Sequence, residues 1–205
     1  MRFNLEILKT RLGEDIAELT SLAIGAAGKG DIERIAISEY CVIQLQDSWN
    51  RFVRDLILKS CSGKCIRSGG ARIGPGSHGQ LTQRQSRTLL TSLWSSRRGM
   101  GSDWEPAWTS QQEANRAIDI LGPQNGNDLK TAIGASTNPI SELKPVRNFA
   151  THRGPVSSAK LESISRAWSK PWCQPSDLFL DDGVGLFRFD EWCRRFQAVA
   201  NAAVM

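Results

Sequence analysis

Apolar residues recur at helical spacing along most of this chain, and glycines and prolines separate the runs. Between residues 3 and 22 the apolar positions follow the 3.6-residue period of an amphipathic helix. A longer run from Ile32 to Ser60 contains no glycine or proline, and Asp31 just before it is a suitable N-cap. The pattern therefore predicts two long helices at the start of the chain.

The same criteria predict shorter helices in the remainder of the chain, at residues 82–93, 113–121, 128–133, 145–153, 157–168 and 190–203. Pro145 is expected in the first turn of its helix, where its missing N–H does no harm. Residues 178–189 have the pattern of one minor β-hairpin. The predicted fold class is all-α, a single helical bundle over residues 1–205 with that hairpin as its β structure.

Residues 61–80 interrupt the helical pattern. They hold six glycines and no long apolar run, which predicts a flexible loop. Gly74 to Gly79 formally matches the G-x-G-x-x-G spacing of dinucleotide sites, but no apolar strand precedes it and Pro75 removes an amide. The loop interpretation is therefore favoured, with the added hypothesis that its Lys64, Arg67 and Arg72 close over an RNA backbone.

Composition places the chain among globular proteins that do not cross a membrane. No run approaches the roughly 18 apolar residues that a membrane span needs. Acidic residues near the N-terminus do not fit a signal peptide, so a cytoplasmic location is expected. The five cysteines are then expected to be free thiols. A zinc site built on Cys61, Cys65 and His78 is the alternative, but it lacks a fourth ligand nearby in sequence.

Positive charge is concentrated in one quarter of the chain. The net charge of the whole protein is +5, yet residues 48–100 alone hold ten Lys and Arg against one acid, Asp55. Arginine also outnumbers lysine, and its planar fork suits phosphate better than an ammonium does. This excess of positive charge favours a polyanionic partner, and nucleic acid is the leading candidate. A solvated basic loop region is the alternative interpretation.

The segment Val146–Arg153 holds one of the two histidines and a distinctive set of polar side chains. On a helix, Asn148 and His152 share a face, and Arg147 lies about 140° from His152, at the edge of that face. The helix therefore offers a guanidinium, an amide and an imidazole within reach of one another.

These groups suit RNA cleavage without a metal ion or other cofactor. The 2′-hydroxyl of RNA can attack the neighbouring phosphate when a base removes its proton. Imidazole serves as base or acid near neutral pH, and an arginine stabilises the charge that develops on the phosphate oxygens. We therefore predict His152 as acid/base, Arg147 as phosphate stabiliser and Asn148 as the orienting group.

The sequence Arg147-Asn148-x-x-x-His152 resembles the Arg-x(4–6)-His motif of the HEPN superfamily, in which a polar residue often follows the arginine. The resemblance covers residues 31–167 in outline. It implies a helical bundle, metal-independent endoribonuclease activity, and a homodimer in which two copies form a composite active site. It also implies a role in a toxin–antitoxin pair or phage defence, with an antitoxin or defence partner. A tyrosine found two residues after the histidine in one branch is replaced here by Gly154.

Five arginines are predicted to contact the RNA backbone: Arg51, Arg54, Arg97, Arg98 and Arg153. Three alternatives stay open at this stage. In the first alternative, the motif residues are only surface charges at a helix C-terminus, where positive charge is favoured. In the second, the chain is a HEPN-like module that binds RNA or protein without cutting. In the third, the chain is a helical scaffold with no role in nucleic-acid chemistry.

Overall fold

The computed structural model describes residues 2–26, 28–94, 105–135, 138–167, 174–179 and 188–205. Within these residues the chain is mostly helical, as predicted. The elements, in order along the chain, are β1 (Phe3–Asn4), α1 (Glu6–Ala26), α2 (Asp31–Ser60), β2 (Cys65–Ile66), β3 (Arg72–Ile73), α3 (Gln83–Leu93), α4 (Gln111–Leu121), α5 (Gly126–Ile133), α6 (Ile140–His152), α7 (Pro155–Ala167), a 3-10 helix (Pro175–Phe179) and α8 (Arg188–Val204).

The chain forms two compact units. Unit 1 comprises Met1–Arg11, Asn50–Ala135 and Val199–Met205, and unit 2 comprises Leu12–Trp49 and Ser136–Ala198. The charge-rich residues 50–94 and the small sheet therefore belong to unit 1. The motif helix α6 belongs to unit 2.

Local sequence explains where several helices begin and end. The Thr82 hydroxyl accepts a hydrogen bond from the N–H of Gln85, and the side chain of Gln85 accepts one from the N–H of Thr82. This capping box starts α3. Ser110 caps α4 by accepting a hydrogen bond from the N–H of Glu113. Gly122 then ends α4 in the left-handed conformation at φ 54°, which glycine adopts without steric cost.

Residues 61–80 contain regular β structure, in contrast to the loop predicted for them. Strands β2 and β3 pair antiparallel, with Cys65 opposite Ile73 and Ile66 opposite Arg72. Strand β1 adds parallel to β2, so that the sheet order is β1-β2-β3. The hydrophobic pattern hides these strands because each is only two residues long, too short to show alternation.

The predicted hairpin near 178–189 is wrong at both of its ends. Leu178 and Phe179 lie in the 3-10 helix, and Arg188 and Phe189 form the first turn of α8. The acids Asp190 and Glu191 lie in that first turn, where they favour a helix start over a strand. Residues 180–187 lie outside the described part of the chain.

Each unit has its own apolar core. In unit 1, α2 contributes Leu56 and Ile57, and the helices after the sheet add Leu90, Ile118 and Leu129, all nearly inaccessible to solvent. In unit 2 the core is aromatic in large part, and the helices present apolar faces to one another. Its largest buried side chains are Trp49, Phe189, Trp192 and Phe196.

Two of these aromatic side chains show how tightly the unit 2 core is packed. The rings of Trp49 and Phe196 stack with their centroids 4.5 Å apart. This offset contact adds to the burial of apolar area, which is the main stabilising contribution of such residues. None of the helices in the described ranges is long and apolar enough to cross a membrane.

Candidate active site

The helix α6 carries the Arg147-Asn148-x-x-x-His152 motif, and it begins earlier than the sequence predicts. It runs from Ile140 to His152, so Pro145 lies inside the helix and not in its first turn. The proline removes the hydrogen bond that would reach the carbonyl of Ser141, at a cost of about 3 kcal/mol in a helix interior. Buried Ile140 and Leu143 hold the first turn in place and offset this loss.

Both ends of α6 are held by polar contacts to other helices of unit 2. In the first turn, one carboxylate oxygen of Glu142 accepts a 3.0 Å bond from the indole of Trp192, and the other lies 2.9 Å from Arg195. At the far end Arg153 lies 2.5 Å from the carboxylate of Glu39 on α2. The motif is therefore presented on a helix that is fixed at two points.

Arg153 ends α6 in an unusual backbone conformation. Its φ of 31° and ψ of 37° lie in the left-handed region, and its N–H donates to the carbonyl of Phe149. Such a conformation costs a residue with a Cβ atom roughly 1–2 kcal/mol relative to glycine. The next helix begins at Pro155, and the Ser157 hydroxyl bonds back to Gly154, so the chain turns sharply here.

The three motif side chains occupy different positions around α6. The buried stripe consists of Ile140, Leu143 and Val146. At about 100° per residue, Arg147 lies some 40° from Leu143, and it is half-buried. Asn148 is half-buried and lies near 140°, whereas His152 is exposed on the outer side of the helix, near 180°.

The guanidinium of Arg147 is turned towards the end of the helix that carries His152. Its Nη1 lies 3.5 Å from the hydroxyl of Thr151, which itself bonds to the carbonyl oxygens of Arg147 and Asn148. The Nε of Arg147 is buried and has no hydrogen-bond partner. A buried donor without a partner is costly, and because this N–H is shielded from solvent it contacts a phosphate only if the side chain changes its conformation.

The arrangement has the parts for acid–base chemistry on a phosphodiester. An exposed imidazole at His152 can reach a ligand from solvent, and Asn148 lies one turn before it on the same side of the helix. His152 and Arg147 nevertheless start about 140° apart on one helix, so the side chains do not share a face.

The predicted RNA contacts are found in different settings. Arg51 is exposed on α2. Arg54 is held by carboxylates, because its Nε and Nη2 lie 2.5 and 3.0 Å from the two oxygens of Glu105 and its Nη1 lies 3.0 Å from Asp55. Arg153 pairs with Glu39, as described above, but is itself 62% exposed at the side chain. Arg97 and Arg98 lie outside the described residues.

The cysteines described by the structure are free, buried thiols. They are Cys41, Cys61, Cys65 and Cys193. The thiols of Cys61 and Cys65 donate to the backbone carbonyls of Ile57 and Lys59 at 3.1 and 3.0 Å. Across the described ranges, no three His, Cys, Asp or Glu side chains group as metal ligands.

Burial raises the pKa of three of these thiols well above the ordinary value of 9.0. The pKa rises to about 11 for Cys41 and to about 12 for Cys61 and Cys193. In each case the main cause is the loss of hydration of the thiolate. These groups therefore remain protonated, and they do not act as nucleophiles near neutral pH.

Two residues that sequence reasoning did not single out contribute to the candidate site. Thr151 holds the guanidinium of Arg147, and the spacing of four residues on a predicted helix is the signal that indicates this contact. Glu39 holds Arg153 but lies 114 residues away in sequence. Nothing in the local pattern indicates a contact over that distance.

Comparisons with family models, curated proteins and solved structures give no match to this chain. The resemblance to HEPN proteins therefore stays a prediction from the sequence motif.

Proposed function

We propose that this protein is a metal-independent endoribonuclease of the HEPN type, in which Arg147, Asn148 and His152 form the catalytic set. One observation supports this proposal above all. The exposed imidazole of His152 stands at the end of α6 towards which the half-buried guanidinium of Arg147 is turned.

The proposed reaction is a transesterification within the RNA strand. An unprotonated imidazole takes the proton of the 2′-hydroxyl, and the 2′-oxygen forms a bond to the adjacent phosphorus. The bond from phosphorus to the 5′-oxygen breaks, and a protonated imidazole donates a proton to that leaving oxygen. The products are a 2′,3′-cyclic phosphate and a 5′-hydroxyl. Arg147 stabilises the charge on the non-bridging oxygens, and Asn148 orients the phosphate or the imidazole.

A homodimer with a composite site fits the geometry of α6. The reaction needs one imidazole as base and another group as acid, and each chain supplies a single histidine from its motif. His152 also lies on the outer side of α6, away from the buried stripe. Two copies related by a two-fold axis would contribute two histidines and two arginines to one site.

The biological setting is part of the same proposal. We place the protein in the cytoplasm, where RNA is accessible, and in a toxin–antitoxin pair or a phage-defence system. An antitoxin or other defence partner would then restrain the activity. Cells that express the wild-type chain should grow more slowly than cells that express His152→Ala.

The direct test incubates the purified protein with a mixed-sequence RNA in excess EDTA. The proposal predicts that cleavage persists in EDTA and leaves 2′,3′-cyclic phosphate ends. It also predicts that the cleavage rate falls by at least about 10²-fold in both His152→Ala and Arg147→Ala. Lys160→Gln is the matched control, because it removes one exposed charge from the neighbouring helix α7. Cleavage by the wild type that is retained in both motif variants would contradict the proposal.

A mixing experiment tests whether two copies share one site. Wild type is combined with an excess of the doubly substituted Arg147→Ala, His152→Ala chain under conditions that allow subunits to exchange. A composite site predicts that activity per wild-type chain falls as mixed dimers form. Unchanged activity would show that one motif suffices. Binding of RNA without any cleavage would instead indicate the alternative, a non-catalytic module that binds RNA or protein.

A further inference from the structure

The three-stranded sheet of unit 1 has one buried face and one exposed face. Side chains alternate across a strand, and paired residues on neighbouring strands point to the same side. Leu5, Cys65 and Ile73 are buried at 0%, 1% and 3% exposure and define the inner face. Asn4 and Arg72 are exposed and lie on the other side.

The outer face of this sheet is basic. Lys64 precedes Cys65 and Arg72 precedes Ile73, so both side chains lie on the side opposite the buried pair. Arg2 precedes Phe3, and in the register of β1 with β2 it lies beside Lys64. All three cations are exposed, and none of them makes an ion pair or a side-chain hydrogen bond with the rest of the described chain. We refer to Arg2, Lys64 and Arg72 as the basic sheet face.

Carboxylates near the sheet do not neutralise these cations. Glu6 follows β1, but its carboxylate pairs with Lys9, and this contact is the main cause of a lowered pKa at Glu6. Asp128 pairs with Arg67 at 2.5 Å. Each acid therefore has a basic partner of its own. Neither of these two acids pairs with a cation of the basic sheet face.

The segment that follows β3 is held in place by specific contacts with the end of α4. Gly76 approaches Gly122 so closely that a Cβ atom would lie 2.0 Å from the Gly122 carbonyl oxygen. Ser77 N–H donates to that carbonyl at 2.9 Å, and the imidazole Nε2 of His78 lies 2.9 Å from the carbonyl of Ile120.

We propose that the basic sheet face binds the sugar–phosphate backbone of single-stranded RNA. Arg2 and Lys64 directly precede the neighbouring strands β1 and β2, and paired strands lie about 4.8 Å apart. Continuing the register of β2 with β3 makes Lys64 a diagonal neighbour of Arg72, at a typical spacing of about 7–8 Å. This short row matches a few phosphates of one strand. The inference rests on the proposed function only in taking RNA as the polyanion.

The chemistry of this face indicates binding that does not depend on base sequence. No aromatic ring is presented on the outer side, since Phe3 lies on the other side near Lys59. Ile66 is half-buried, so the face offers no exposed large apolar side chain for insertion into a lipid bilayer. Recognition then depends on phosphate charge, which makes it strongly dependent on salt.

The test measures binding of a fluorescently labelled 2′-O-methyl RNA by anisotropy. This RNA lacks the attacking hydroxyl, so binding is measured whether or not the protein cleaves RNA. The triple variant Arg2→Gln, Lys64→Gln, Arg72→Gln is compared with a control triple variant, Arg11→Gln, Lys29→Gln, Lys160→Gln. The control removes the same net charge from exposed positions outside the basic sheet face. Melting curves confirm that both variants remain folded.

The expected result is at least tenfold weaker binding for the sheet variant and less than threefold weaker binding for the control. The magnitude of the slope of log K against log salt concentration should decrease by about 2 in the sheet variant, because each of the three lost phosphate contacts contributes about 0.7. Equal losses in both variants, or no loss in the sheet variant, would overturn the proposal. Tighter binding to phosphatidylserine vesicles than to RNA would also overturn it. If the single variants are needed because the triple variant unfolds, each should lower that slope by about 0.7.

Failure of this proposal and failure of the nuclease proposal give different results. A protein that binds 2′-O-methyl RNA through the basic sheet face but cleaves no RNA would retain this inference and lose the catalytic one. A protein that cleaves RNA through His152, with affinity unaffected by the sheet variant, would retain only the catalytic proposal.

Discussion

The guanidinium of Arg147 and the hydroxyl of Thr151 lie 3.5 Å apart, one turn along α6 from each other. This contact directs a half-buried cation along its helix towards the end at which His152 is exposed. It leaves the buried Nε without a partner. The proposed phosphate-binding role of Arg147 depends on the planar fork of its side chain, in which several N–H groups point in fixed directions.

Arg147→Lys tests that dependence, because it keeps the charge and removes the fork. We expect RNA cleavage to fall by about 10²-fold or more, since an ammonium cannot form two parallel bonds to a phosphate. Lys144→Gln on the same helix removes an exposed charge and should leave the rate within about twofold. Initial rates on a labelled RNA measure both. A lysine variant as active as the wild type would show that charge alone is sufficient.

Arg153→Gly and Arg153→Ala separate backbone strain from the ion pair at the end of α6. Both variants lose the contact with Glu39, but only glycine adopts a φ of 31° without steric cost. We expect the glycine variant to be more stable than the alanine variant by about 1 kcal/mol. Urea unfolding of the two proteins measures the difference. Equal stability would show that this residue changes its conformation when substituted.

Glu105→Gln should destabilise unit 1, because Glu105 joins four side chains. Its oxygens accept bonds from Arg54, from Arg87 at 2.8 Å and from the indole of Trp108 at 3.1 Å. Loss of the charge leaves the half-buried guanidinium of Arg54 and the more exposed one of Arg87 poorly compensated, and we expect the free energy of unfolding to fall by about 1–2 kcal/mol.

A matched control for Glu105→Gln is Glu162→Gln, whose pair with Arg166 is exposed at both side chains. Exposed pairs contribute little, so its effect should be below about 0.5 kcal/mol. Urea denaturation at low salt measures both proteins. A Glu105 variant that is no less stable than the control would contradict the anchoring role.

Gly76→Ala should disrupt the segment that follows β3. A Cβ atom at this position would contact the backbone of Gly122 at 2.0 Å and that of Pro123 at 2.9 Å, and neither can move easily. We expect a loss of about 2–3 kcal/mol or more in stability. Gly69→Ala, in the turn between β2 and β3, has open space and should change stability by less than about 0.5 kcal/mol. Thermal unfolding compares them, and equal melting temperatures would argue against this close approach.

Stability should fall as pH rises from about 9 to about 12. Burial raises the pKa of Cys193 in the folded state from 9.0 to about 12, whereas the unfolded chain ionises this thiol near its ordinary value. The folded state therefore holds more protons in this range, and each fully retained proton lowers the free energy of unfolding by about 1.4 kcal/mol per pH unit.

The variant Cys193→Ala isolates this contribution of the thiol. The cavity it creates lowers stability equally at all pH values, but the dependence on pH above 9 should become shallower by up to the slope of one proton. Urea unfolding at pH 7, 9, 10 and 11 gives the comparison. An unchanged slope would show that this thiol ionises in the folded protein as readily as in the unfolded chain.

The sequence determined most of the helices, because their signals are local. The uninterrupted apolar period predicted α2 almost to the residue, and the Thr82 capping box and Gly122 fixed the ends of α3 and α4. It also determined that Arg147, Asn148 and His152 follow one another on a helix. Their roles in catalysis remain a prediction from the motif.

Tertiary structure alone decided features that depend on residues far apart in the chain. Pro145 was expected to begin a helix, but burial of Ile140 and Leu143 extends α6 by five residues ahead of it. The pairing of Phe3 with Cys65 builds a sheet from segments about 60 residues apart, and it brings Arg2 beside Lys64. Local propensity contains no information about such pairings, because the free energy that favours them comes from burying apolar side chains that only the folded chain brings together.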